Sequence, residues 1–163
     1  MISAKTLAGF ELFEGLPEED LKIIASLSHE QVFPAQTSIF SPEKSAEHIL
    51  LLLKGKVGLT VHASSLTEPV TISVLSTPGQ VFGFASVLGQ GHHNSSALAI
   101  TDVRVLAIDS DPLMDYLAKK PEVGFIVMKR IAAVISRRLS TMRKLLLETI
   151  IDYERPASAT PEN

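Results

Sequence analysis

The sequence predicts a mainly β fold with flanking helices, in which a strand-rich sandwich or barrel is followed by a long C-terminal helix. Two observations predict it. From Glu30 to Asp109, short extended runs are separated by turn residues at a spacing that favours a sandwich or barrel over alternating strands and helices. After Asp109 the apolar residues recur at helical spacing. The 163 residues suit a single domain with a sizeable core.

A first helix is predicted to begin at Gly15-Leu16-Pro17, because proline is favoured at the first helical position. Glu18, Glu19 and Asp20 then lie in the first turn, where the helix dipole favours negative charge. The same acids could be interpreted as a metal or catalytic cluster, but the helix start accounts for them. The apolar face of this helix consists of Leu21, Ile24 and Leu27.

The strand-rich region contains two alternating segments, each of which predicts a strand with one buried face. Their apolar positions are Val57, Leu59 and Val61 in the first and Val70, Ile72 and Val74 in the second. The aliphatic run Ile49–Leu53 predicts a strand that is buried on both faces. Turn signals separate the runs at Pro34-Ala35, Ser41-Pro42, Lys54-Gly55-Lys56, Ser64-Ser65 and Thr77-Pro78-Gly79-Gln80.

Two further helices are predicted after the strands. In the shorter one, Ser110 or Asp111 is the cap and Pro112 occupies the first position. Pro121 opens the longer helix, which runs to about Tyr153. The early apolar residues of the long helix are expected to dock on the strand-rich region; they are Phe125, Met128 and Ile131.

Beyond these residues, the long helix carries an apolar seam with alternating spacings of three and four, the pattern of two helices packed as a coiled coil. The seam consists of Ala132, Ile135, Leu139, Met142, Leu146 and Thr149. We therefore expect a homodimer formed through this helix. The alternative, in which the helix lies entirely on its own domain, stays open.

Composition limits the functions to consider. The absence of cysteine excludes thiol catalysis, disulfides and thiolate metal sites. The net charge of −3 gives no global attraction to nucleic acid, although the stretch between Glu122 and Glu148 holds bases and no acid. The longest aliphatic run is far shorter than a membrane span, so we expect a cytoplasmic protein with no membrane partner. The positive mean hydropathy indicates apolar surface that a partner covers.

One segment stands out as a candidate binding site. In Pro78–Leu88, glycines flank a strand end that leads into a short apolar stretch, and a helical turn there would direct the free amides of Phe84 and Ala85 at an anion. Shortly afterwards, Asn94, Ser95 and Ser96 offer small polar donors. We expect the two pieces to face each other across a pocket.

Between Leu12 and Leu147 the chain contains an ordered set of short fragments: Leu12-Phe13-Glu14-Gly15-Leu16, Lys54-Gly55-Lys56-Val57, Pro78-Gly79-Gln80-Val81-Phe82-Gly83, Ala97-Leu98-Ala99, Val105-Leu106-Ala107-Ile108-Asp109, and Pro121 followed by Arg137-Arg138-Leu139. In this order, the fragments resemble a cyclic nucleotide-binding domain of the CRP/FNR superfamily. The resemblance implies a double-stranded β-helix, the jelly roll or β-roll of cyclic nucleotide-binding type, with a long C-terminal dimerisation helix. It divides the chain into a roll with N-terminal helices (1–120), the helix (121–153) and a flexible tail (154–163).

The resemblance also implies a phosphate-binding cassette, but its two charged contacts are missing here. The family's cassette glutamate, which binds the ribose, corresponds to Phe84, and its phosphate-binding arginine corresponds to Asn94. Hydrogen bonds to charged groups contribute about 1.5–3 kcal/mol each, so their loss removes roughly 3–6 kcal/mol, or about 10² to 10⁴ in affinity. We therefore do not expect cAMP to bind tightly. The retained cassette candidates are Gly83, Phe84, Ala85, Asn94, Ser95 and Ser96, and the helix candidates are Arg138, Met142 and Arg143.

These observations predict a stand-alone regulatory sensor module with no catalytic residues, no certain cofactor and no metal. Its effector is expected to be a cyclic nucleotide or another small anion, and its output is expected to pass to an unknown protein partner. The chain stops soon after the predicted helix, before the helix-turn-helix domain of CRP/FNR regulators, so we expect no DNA binding.

Two other functions stay open: ordinary cAMP or cGMP binding, and a cupin-like metal-dependent enzyme. A cupin uses a His-x-His pair, because residues two apart share one face of a strand. His92 and His93 are adjacent, so we interpret Gly89–Asn94 as an exposed polar loop. Haem ligation by a single histidine also stays open.

Overall fold

The structure, a computed structural model, describes residues 2–62 and 67–154. The helices are α1 (Ala4–Ala8), α2 (Glu18–Ser26), α3 (Ser110–Lys119) and α4 (Pro121–Glu154). The strands are β1 (Ser28–Phe33), β2 (Ser38–Phe40), β3 (His48–Lys54), β4 (Val57–Val61), β5 (Val70–Leu75), β6 (Val81–Phe82), β7 (Ser96–Ala99) and β8 (Val103–Asp109). The turn predicted at Ser64-Ser65 lies outside the described residues, as do residues 155–163 of the predicted tail, whereas Glu154 is the last residue of a helix.

The strands form two four-stranded antiparallel sheets, in the orders β1-β8-β3-β6 and β2-β7-β4-β5. Chain neighbours alternate between the sheets through much of the roll, which is the pattern of a jelly roll and confirms the predicted fold class. No helix among the described residues has the length and apolar character needed to cross a membrane.

Strand β3 lies at the centre of the fold and is buried on both faces, as predicted. Because side chains alternate along a strand, Ile49 and Leu51 face the helices, where they join one apolar cluster. Leu50 and Leu52 face the second sheet and join a separate cluster inside the roll. One short strand therefore contributes to both cores.

Strand β5 differs from the prediction. The predicted buried set included Val70 and Val74, yet both are exposed, while Leu75 is buried and Ile72 is half-buried. The cause is an irregular register in its pairing with β4, where Leu59 lies opposite Ser73 and the next residue opposite Thr71. Such a bulge inserts a residue and shifts the alternation of faces.

Helix α2 begins at Glu18, with Pro17 at the N-cap. The predicted acidic first turn is present, but Asp20 has a second role because it is buried and accepts a hydrogen bond from the Tyr116 hydroxyl of α3. The Lys120 ammonium lies 3.7 Å from the same carboxylate. A buried carboxylate needs such partners, and here they tie α2 to α3.

Helix α4 begins at Pro121, as predicted, and buries the apolar side chains of Val123, Val127 and Ile131. The expected docking of Phe125 is wrong, since its side chain is 69% exposed, whereas Met128 is half-buried against the core. Gly124 allows the crossing with α3, because a Cβ there would lie 2.9 Å from the Leu117 carbonyl oxygen.

Candidate ligand-binding site

The cassette begins where β6 ends, at Gly83. Its φ of 68° lies in the left-handed region, which favours glycine. The chain then makes a turn and a short 3-10 helix, Ser86–Leu88, so the predicted helical turn is present but starts two residues after Phe84. Within the described part of the chain, the amides of Phe84 and Ala85 make no hydrogen bond. They remain able to donate to a ligand.

A cavity of about 460 Å³ lies between this cassette, strands β4 and β5, and α4. The cassette contributes Gly83, Phe84, Ala85, Asn94 and Ser95, and the helix contributes Ile135, Arg138, Leu139 and Met142. The two cassette pieces thus face one cavity, as the sequence predicts. Two candidates do not line it: Ser96 pairs with β4 inside strand β7, and Arg143 is exposed on α4.

Arg138 is the one charged side chain that lines this cavity among the described residues. Its guanidinium donates a hydrogen bond to the Val81 carbonyl and lies 5.3 Å from the centroid of the Phe84 ring. Burial, together with the nearby charge of Arg137, lowers the pKa of Arg138 to about 10. The guanidinium is therefore still protonated at neutral pH, as a partly desolvated cation that pairs with no carboxylate in residues 2–62 and 67–154.

Phe84 gives the cassette a different chemistry from the one that the family resemblance implies. The ring packs against the apolar cluster beneath the helices and lies under Arg138. Asn94, at the position implied for the phosphate-binding arginine, is exposed at the edge of the cavity. The cavity therefore has mainly apolar walls and one cation, and this cation comes from α4 rather than from the cassette.

His93 was not identified as a site residue from the sequence, and the prediction of an exposed loop is wrong for it. It is buried and stacks on Phe40, with ring centroids 3.8 Å apart and planes at 11°. Burial, followed by the charge of His92, lowers its pKa. A bridge between Ser45 and His92 holds this loop against the roll. The local sequence contains no signal for this tertiary contact.

Two other basic residues of α4, Arg130 and Arg137, bind groups of the N-terminal segment. Arg130 donates to the Leu12 carbonyl at 3.2 Å, and Arg137 pairs with the Glu11 carboxylate at 3.0 Å. Both line a second cavity, of about 400 Å³, beside the segment Gly9–Leu12. Arg138 lines this cavity as well as the first. Arg130 and Arg137 thus fasten α4 to the N-terminal segment.

The chain is similar to proteins of one family. The cyclic nucleotide-binding domain family matches residues 30–120. A CRP-like cAMP-activated global transcriptional regulator of Mycobacterium tuberculosis is 25% identical over 144 residues, which are 88% of this chain and 62% of the relative. The cyclic AMP receptor protein of Thermus thermophilus is 28% identical, over 82% of this chain and 59% of its own length. The chain thus spans about three fifths of these curated relatives.

A solved structure agrees with this similarity. A candidate cyclic nucleotide-binding protein from Geobacter metallireducens is 33% identical, with a TM-score of 0.74. The match covers 85% of this chain and 99% of that one.

Proposed function

The chain belongs to the cyclic nucleotide-binding domain family, and we propose that it is a non-enzymatic regulatory module whose cassette cavity binds a small organic anion in preference to cAMP. The observation that carries this proposal is the lining of the cavity: of the residues that the structure describes there, Arg138 of α4 is the one that is charged, and Phe84 and Asn94, which the resemblance assigns to the two cassette positions, carry no charge. We expect the ligand to pass a signal through α4.

The electrostatics of Arg138 favour an anion. A cation that is partly removed from water loses hydration energy unless a counter-charge replaces it, and the lowered pKa of Arg138 reflects this loss. A guanidinium has five N–H donors, so Arg138 keeps donors beyond the one that binds Val81. A carboxylate or phosphate beside it would supply the missing negative charge.

The remaining walls indicate the rest of the ligand. The polar groups that the cassette offers include the free amides of Phe84 and Ala85, the hydroxyl of Ser95 and the side-chain amide of Asn94. Leu139 and Met142 line the helix side of the same cavity. A ligand with one acidic group and an apolar body fits this combination better than a polar sugar phosphate does. A sugar hydroxyl placed against Phe84 would have no hydrogen-bond partner there.

The output of the module would be a change in how two α4 helices meet. Leu139 and Leu146 are 64% and 60% exposed although they belong to the predicted coiled-coil seam, which supports a homodimer in which a second α4 covers them. Leu139 and Met142 belong to both the seam and the cavity wall. A ligand that contacts them can favour one helix arrangement over another, and a protein partner would detect this difference.

Calorimetry on the untagged chain tests the binding proposal. We expect one or more small organic acids to bind, cAMP and cGMP to bind no more tightly than the sub-millimolar range, and Arg138→Gln to weaken binding of the organic acid by about 10- to 100-fold. Arg143→Gln is the matched control, because it removes the same charge from an exposed position on the same helix. Micromolar cAMP binding, or unchanged acid binding by Arg138→Gln, would contradict the proposal.

A further inference from the structure

We propose a second binding site, separate from the cassette cavity and independent of its function, in which His29, His48 and Asp109 bind a divalent transition metal ion such as Zn²⁺. The three side chains come from three neighbouring strands, since β8 lies between β1 and β3. Their candidate ligand atoms all lie within 4.8 Å of one another.

The backbone pairing places these residues without the help of a loop. His48 lies directly opposite Asp109, and His29 lies opposite Ala107, two residues before Asp109 on the same face of β8. The Asp109 Oδ1 atom is 3.2 Å from His48 Nε2 and 3.8 Å from His29 Nδ1. A tetrahedral zinc ion with bonds of about 2.0–2.1 Å places its ligand atoms roughly 3.4 Å apart, so only small side-chain movements are needed.

The orientation of Asp109 is a separate observation in favour of this site. Asp109 is the N-cap residue of α3, where an aspartate normally accepts a hydrogen bond from an amide of the first turn. Its carboxylate makes no such bond. It turns instead toward the two imidazoles, which is the arrangement that a shared ion requires.

Gln31 supports one of the ligands from behind. Its side-chain amide lies 2.8 Å from His29 Nε2, on the side of the ring away from Asp109. The contacting atom is the amide nitrogen, which donates to His29 Nε2; a 180° turn of the amide brings its oxygen to the ring, so that Gln31 accepts the Nε2–H and leaves the Nδ1 lone pair free for a metal. Metal-binding histidines commonly have such a partner on the second nitrogen.

Two imidazole nitrogens and one carboxylate oxygen suit Zn²⁺, Co²⁺ or Ni²⁺ better than Mg²⁺ or Ca²⁺, which prefer oxygen ligands. The side chains are 47%, 30% and 47% exposed for His29, His48 and Asp109, so a fourth coordination position faces water. His48 and Gln31 also line a cavity of about 330 Å³, through which an ion or an additional ligand can approach.

Calorimetry with ZnCl₂ and absorption spectroscopy with CoCl₂, on untagged full-length chain treated with chelator, test this proposal. We expect the wild-type chain to bind one equivalent of the ion and its Tm to rise. The His48→Gln and Asp109→Asn variants should no longer bind the ion. Gln31→Ala should weaken binding by about 10- to 100-fold. Circular dichroism of the metal-free variants checks that each one folds.

His92→Gln is the matched control, because it removes an exposed imidazole from outside the three-residue cluster and should bind the ion as the wild type does. The proposal is overturned if the wild type binds no ion, or if His48→Gln and Asp109→Asn bind it unchanged. Arg138→Gln should leave ion binding intact, so failure at one site is distinguishable from failure at the other.

Discussion

Two regions of the molecule differ in what covers their apolar side chains. One is the roll with the first half of α4, and the other is the cassette cavity with the second half of α4. In the first region, Val127 and Ile131 are fully buried against residues of the same chain. In the second, Leu139 and Leu146 are mostly exposed, and Arg138 faces a cavity in which none of the described residues is a carboxylate. The first region buries its own apolar side chains, whereas we expect a ligand or a second helix to complete the second.

The largest expected effect comes from restoring the missing cassette charges. Phe84→Glu combined with Asn94→Arg supplies a carboxylate for a ribose hydroxyl and a guanidinium for the phosphate. We expect cAMP affinity to rise by about 10² to 10⁴, which corresponds to roughly 3–6 kcal/mol. Calorimetric titration with cAMP measures it, and Asn94→Arg alone is the partial control. An unchanged titration would show that these residues do not occupy the cassette positions.

A large effect on stability is expected from Ile131→Ala. This change removes a fully buried side chain between α4 and the roll, so the free energy of unfolding should fall by about 2–5 kcal/mol. Phe125→Ala, on the same half of the helix but 69% exposed, should change it by less than about 0.5 kcal/mol. Urea denaturation compares the two. Equal losses would mean that α4 does not dock as described.

A smaller effect is expected on association of the chain. Leu139→Glu with Leu146→Glu places two negative charges in the exposed seam and should weaken dimerisation at least about tenfold, or 1.4 kcal/mol, by analytical ultracentrifugation. Lys144→Glu changes the net charge by the same amount outside the seam, so it should leave dimerisation nearly unchanged. A wild-type chain that stays monomeric would refute the proposed homodimer.

The smallest effect is on the pH dependence of stability. The pKa of His93 is lowered in the folded state, so below its ordinary pKa the unfolded chain binds more protons than the folded chain does. The stabilisation that neutral His93 supplies is present above pH about 6.5 and is lost as the pH falls through the folded pKa. His93→Phe, which preserves the stack on Phe40, should flatten this part of the curve. His92→Gln should leave most of this pH dependence in place. Thermal melts measured across this pH range compare the two variants.

The elements that the sequence predicted well have local causes. Pro121 can start a helix but not continue one, and the aliphatic run in β3 has no polar face, so both assignments follow from nearby residues. The docking face of α4 was harder to predict. A spacing of three places Phe125, Met128 and Ile131 on one face of a helix. A spacing of four does the same for Val123, Val127 and Ile131, which are the residues that the fold buries.

The remaining differences depend on contacts between distant segments. The bulge that turns Val74 outward arises from pairing with β4, and His93 is buried because its loop bridges to Ser45. His29, His48 and Asp109 are widely separated along the chain, so no spacing motif could connect them. For the cassette, the resemblance indicated the positions Phe84 and Asn94. The resemblance also indicated both Arg138 and Arg143 on α4, and only the fold showed that Arg138 lines the cavity whereas Arg143 is exposed.

Strand β3 has a consequence for cooperativity. One face of β3 packs in the apolar cluster beneath the helices, and the other packs in the cluster inside the roll. Because of this, the helices cannot separate from the roll without exposing one face of β3. The two layers should therefore melt in a single transition, with amide exchange rates in β3 that report global unfolding. Occupancy of the cassette cavity would then slow exchange in the helices around Ile24 as well, although no ligand touches them.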